Sequence, residues 1–126
     1  MYPSLRQFLP GAADRDFALM MWFELVTLAL GPNANEEVHE MVLSGHDESV
    51  VIVTRWFTLL AADGYALQDT PEVLAARFVA LVDGLHLSLL FDKSEAALDR
   101  AENTLRWFTE QSLAASGENA PDAKPA

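Results

Sequence analysis

ARFVALVDGLHLSLLFD, Ala76 to Asp92, is apolar almost all the way round a helical wheel, yet Asp83 and Gly84 sit in its middle. A glycine inside a helix costs about 1 kcal/mol relative to alanine. A carboxylate in apolar surroundings costs more still. A helix with no polar face must be covered on every side. A small helical chain has few helices to do this, and a second subunit would supply the missing cover. Gly84 would then let two backbones approach closely. Asp83 would meet the solvent end of a pocket or accept a hydrogen bond from a neighbouring helix. A wet edge for Asp83, with Gly84 fitting a large neighbour, satisfies the same pattern.

The flanking signals are helical too. Upstream, Thr70-Pro71-Glu72 places a cap, a first-turn proline and a first-turn acid in sequence, and the helix they start runs to about Leu90. Downstream, Asp92 or Ser94 starts a last helix to about Ala115, its apolar positions Ala97, Leu98, Ala101, Leu105 and Phe108 recurring at the helical period. Nearer the start, Asp14 or Asp16 caps a helix that stops at Gly31-Pro32. Its stripe Asp16, Met20, Glu24, Thr27 is mixed and the rest is apolar, so this helix should be largely enclosed. Asn33 or Asn35 caps a long helix ending at Gly64, with the stripe Val38, Met41, Val42, Ile52, Trp56, Leu59 and a candidate bend at Gly45. Ser49 to Thr54 has strand propensity but no second strand to pair with, so the helix is kept.

The expected fold is all-α: an antiparallel bundle of about four main helices plus a short leading one ended by Pro10-Gly11. Residues 1–116 form the domain, and the polar tail 117–126 should be disordered.

With 126 residues, 51% of them hydrophobic, the chain can bury a core of its own. It has no cysteine, which excludes disulfides and thiolate chemistry. The first residues lack a basic stretch followed by an apolar run, so no signal peptide is expected. The longest uninterrupted apolar runs, Phe17 to Phe23 and Phe78 to Val82, fall short of the roughly 18 residues that cross a bilayer. A soluble, cytoplasmic protein with no membrane partner is the expectation.

Taken together, three stretches resemble the C-terminal domain of TetR-family transcriptional regulators. ARFVALVDGLHLSLLFD resembles the penultimate helix of that domain, with its Asp-Gly-Leu step at Asp83-Gly84-Leu85 and its Leu pair at Leu89-Leu90. MMWFELVTLALGPN is similar to the family's Trp-bearing helix before a short break. RWFTLLAADGYALQDTPEVLAARF is similar to the unit of helix, Gly turn and Thr-Pro-Glu that leads into the final helix pair. The resemblance covers about Leu5 to Ala115. It implies an internal pocket for small, mostly apolar molecules and a homodimer formed by the last two helices. A typical member begins with a helix-turn-helix head. Nothing before Asp14 could form one, so this chain would be the regulatory half only.

On that reading the pocket residues are Met20, Met21, Trp22, Trp56, Phe57, Phe78 and His86. Such side chains also fill cores routinely. The dimer interface would use Ala80, Asp83, Gly84, Leu87, Leu98, Ala101, Leu105 and Phe108. A carboxylate such as Asp83 or Glu24 would favour neutral or cationic, aromatic or apolar ligands. Glu24 shares its stripe with Asp16 and Thr27, which reads as a solvated face. His39 and His46 are seven residues apart, too far for a compact metal pair, so no metal or other cofactor is expected. No nucleophile–base set, phosphate loop or convergent carboxylate pair stands out, so no enzyme is expected. The alternative is a ligand-free helical module that pairs with a full-length regulator.

Net charge is −11, and the eight basic residues form no cluster. DNA affinity draws on Lys and Arg set against phosphates. The chain should leave duplex DNA unshifted in a mobility assay at physiological salt; a salt-sensitive shift at submicromolar protein would contradict this.

Overall fold

The computed structural model describes residues 8–9 and 15–117, with side chains placed for 8–9 and 17–113. The described residues form four helices and no strand: α1 (Arg15–Leu30), α2 (Glu36–Ala62), α3 (Pro71–Phe91) and α4 (Glu95–Gly117). The all-α bundle read from the sequence is what the chain forms. Of the leading helix only Phe8 and Leu9 are described. The tail beyond Gly117 and the capping side chains Asp14 and Asp16 lie outside the described residues.

The connections follow the local chemistry. At the end of α1 the Gly31 N–H donates to the Thr27 carbonyl at 2.7 Å. A Cβ on Gly31 would stand 2.5 Å from that carbonyl oxygen, so only glycine fits. Asn35 then caps α2, its side-chain oxygen accepting from Val38 N at 3.1 Å. α2 leaves through a Schellman motif: Gly64 N donates to Ala61 O and Tyr65 N to Leu60 O. Gly64 takes φ +105°, a conformation that side chains disfavour. Thr70 caps α3 by accepting from Val73 N at 3.2 Å, with Pro71 at the first helical position. Ser94 caps α4 by accepting from Ala97 N at 3.1 Å. Asp92 closes the α3–α4 corner, bonded to Ser94 N and to the Arg100 guanidinium at 3.1 Å each. Hydrogen bonds from Ser94, with Arg100 adding to them, hold the exposed Asp92 carboxyl below its usual pKa.

α3 is the hub. α2 packs most extensively against it, α4 lies along another side, and α1 rests on α2 while also touching α3. Fully buried Phe57, Phe78, Leu19, Leu74, Leu89, Leu98 and Leu105 form the core. Phe78 is its centre: its ring meets Phe8 edge-on at 5.0 Å, Trp56 at 5.9 Å and Phe108 at 6.1 Å. Thr109 and Ser112 are buried polar residues, and each hydroxyl donates to a carbonyl one turn back at 2.9 Å.

Three expectations need correction. α2 turns Val53, Phe57 and Leu60 inward, while Met41, Ile52 and Leu59 of the expected stripe are exposed. The stripe was displaced because α2 has apolar residues on two sides, and α3 contacts only one. α1 is not largely enclosed: Phe17 is 71% exposed, and Met21, Phe23, Leu28 and Leu30 are exposed as well. Only its Leu19 and Ala29 line is buried. α3, although Arg77 and Asp83 interrupt its apolar runs, is long and apolar enough to cross a membrane by length and composition. Five of its residues, Leu74, Ala75, Phe78, Val79 and Leu89, are buried inside the subunit.

Because Phe78 contacts rings from three other parts of the chain, Phe78→Ala should cost about 3–5 kcal/mol. Chemical denaturation monitored by circular dichroism measures this. A loss under 1 kcal/mol would remove Phe78 from the centre of the core.

Candidate functional site

Between α1, α2 and α3 lies a partly open cavity of about 790 Å³. α1 supplies Trp22, Leu25, Val26 and Ala29 to its wall; α3 supplies Phe78, Val79, Val82, Asp83 and His86. α2 contributes one face at three- and four-residue spacing: His39, Val42, His46, Ser49 and Val53. The space exists because small residues stand where the helices would otherwise fill it. Ala29, Gly45 and Ser49 are wall residues, and a Cβ built on Gly45 would meet nothing within 4 Å. Exposed Leu30, Met41, Leu43 and Ile52 edge the opening. The volume lies within the roughly 300–1,000 Å³ range of small-molecule sites.

The polar groups are few, and each has a defined role. The His86 ring is packed edge-on against Trp22 at 5.5 Å. Its Nε2 lies 3.1 Å from the Phe8 carbonyl, which fixes the leading segment against α3. A carbonyl only accepts, so that nitrogen carries the proton. His86 Nδ1 is buried and has no hydrogen-bond partner among the described residues. His39 Nδ1 faces the Ala29 carbonyl at 3.3 Å, joining the start of α2 to the end of α1. Ser49 Oγ donates to the Gly45 carbonyl at 3.1 Å. His46 Nδ1 stands 4.0 Å from Asp83 Oδ2, both side chains half-exposed. That separation is too long for a hydrogen bond and makes a loose ion pair at the rim when the imidazole is charged.

Of the pocket residues expected from the sequence, Trp22, Phe78 and His86 line this cavity. Met20 and Met21 do not; they lie on the exposed side of α1. Phe57 is wholly buried in the core, and Trp56 packs on it at 4.8 Å, away from the cavity wall. Sequence reasoning missed His39 and His46 as cavity residues. Their shared stripe with Val42, Ser49 and Val53 was the available signal. Among the described residues no group of three or more His, Cys, Asp or Glu converges to hold a metal ion. Glu24 is exposed.

The residues expected at a dimer interface divide into three sets. Ala80, Gly84 and Leu87 form an exposed face of α3. Asp83 turns to the cavity. Leu98, Ala101 and Leu105 are buried within the subunit, and Phe108 is half-buried against Phe78. These α4 residues are covered within the subunit, while Trp107 on the same helix is exposed. A Cβ on Gly84 would meet nothing within 4 Å, so no neighbour among the described residues requires this glycine. Comparison of the chain with family models, curated proteins and solved structures finds no match.

Proposed function

We propose that the chain is the small-molecule-sensing and dimerisation domain of a TetR-type transcriptional regulator. The observation that carries this reading is the cavity: roomy, apolar-walled, and furnished with a few polar groups from three helices. A helical domain that served only for packing would gain stability by filling that space. The order of the resembling stretches supports the family assignment. The chain's part is to bind the ligand and a second copy of itself, in the cytoplasm, with no DNA contact of its own and no chemical reaction.

The exposed face of α3 supports the dimer. Gly84 lowers helix stability with no compensating contact among the described residues, and Leu87 and Phe91, the latter 84% exposed, lie on the same helix. Other exposed apolar residues, Phe17 and Leu30 on α1 and Trp107 on α4, favour a second reading. On it the chain is an interaction module whose apolar surface docks on a full-length regulator.

Two measurements test the proposal. A ligand at a hundred times its dissociation constant should stabilise the fold by about 2.7 kcal/mol. That is a melting-temperature rise on the order of 8 °C for a domain of this size. Val82→Trp, which projects an indole into the cavity, should weaken the response. A broad screen of apolar and aromatic compounds with no shift would contradict the sensor role and favour the interaction module. For the dimer, light scattering should give twice the subunit mass at micromolar protein, and Gly84→Leu should yield monomers that keep their helical circular dichroism. A monomeric wild type contradicts the dimer.

A further inference from the structure

The proton inventory of the cavity is one-sided. Three of its five polar side chains direct a donor at a backbone carbonyl: His39 at Ala29, Ser49 at Gly45 and His86 at Phe8. In a neutral imidazole whose one nitrogen donates, the other can only accept. His39 Nε2 and His86 Nδ1 are therefore lone-pair sites, and Ser49 Oγ retains only its lone pairs for a further bond. The fourth side chain, Asp83, is a carboxylate and accepts only. Among the described residues the uncommitted N–H groups are that of His46, which faces Asp83 across 4.0 Å at the rim, and that of the Trp22 indole. Among the described residues no Lys or Arg lines the cavity, and helix α3 brings Asp83 and His86 to one side of it, one turn apart. The indole of Trp22 stands beside His86 and offers its π face or edge to whatever is bound there.

A site in which acceptors predominate leaves most of them unsatisfied when it takes up a ligand that also only accepts. That penalty is larger than the gain from a good hydrogen bond, so selectivity comes mainly from rejection. Buried His86 Nδ1 is the atom that most needs a donor. The Asp83 charge adds a preference for a positive head and repels a negative one.

Resting on the reading of this cavity as a ligand site, we propose that it selects molecules joining an apolar body to a hydrogen-bond-donating head. Protonated amines come before neutral hydroxyls, and acceptor-only and anionic analogues are rejected.

A matched series on one skeleton tests this by calorimetry: naphthalene, 1-naphthylmethylamine, 1-naphthol, 1-methoxynaphthalene and 1-naphthoate. The amine should bind about tenfold or more tightly than the methoxy compound and the anion, with 1-naphthol between. Asp83→Asn, at a half-exposed position where the fold has little at stake, should erase the advantage of the amine over 1-naphthol while 1-naphthol still binds. Equal binding of the methoxy compound or of 1-naphthoate would overturn the inference and leave the cavity reading standing. So would naphthalene binding as well as the amine. An amine advantage unchanged in Asp83→Asn would overturn the role of Asp83. If none of the five binds, naphthalene included, the cavity reading fails and this inference fails with it.

Discussion

Everything in this fold depends on covering α3. Its apolar residues point in nearly every direction, and a helix of that kind has no stable surface to present to water. The chain answers with Phe78. The ring is fully buried and in contact with aromatic rings from the leading segment, from α2 and from α4. These contacts fix which sides of α3 are covered. Among the described residues they leave the face of Ala80, Gly84 and Leu87 exposed.

The cavity follows from the same constraint. α2 meets α3 closely at the level of Val53 and Phe57, where both contribute large side chains. Toward the start of α2 its inward residues are small or polar, among them Gly45 and Ser49, and contact gives way to space. α1 closes the far wall with Trp22 and Val26. Two hydrogen bonds hold this wall: His39 to the end of α1 and His86 to Phe8. The histidines that tie the enclosure together are also among its polar groups. A ligand that engages them acts directly on the joints between α1, α2 and α3.

The helices and their ends were legible in the sequence because caps are local chemistry. Gly31, Asn35, Gly64 and Thr70 each act within a few residues of their own position, as the pattern implied. The orientation of the helices was not legible. Outside the mixed stripe Asp16, Met20, Glu24, Thr27, α1 is apolar, so its wheel does not fix which apolar face turns inward; Met21 looks as apt for a pocket as Trp22. α2 carries two apolar sides, and only the position of α3 decides that Phe57 is core while Ile52 edges the opening. Asp83 suits the solvent end of a pocket, a neighbouring helix or a wet edge on sequence grounds; in the fold it lines the cavity with its side chain half-exposed. Its neighbour Gly84 meets no packing partner among the described residues, which only packing between helices could reveal.

The central claim is that the space enclosed by α1, α2 and α3 is a real, accessible, apolar volume. Xenon tests it without involving any polar group, because it enters apolar cavities by dispersion alone. Methyl-resolved NMR under xenon pressure, with valine labelling, is the direct measurement. The account predicts saturable shifts concentrated at Val26, Val53, Val79 and Val82. Shifts absent from these methyls, or growing linearly and spread over exposed Val51 as much as over the cavity wall, would contradict it.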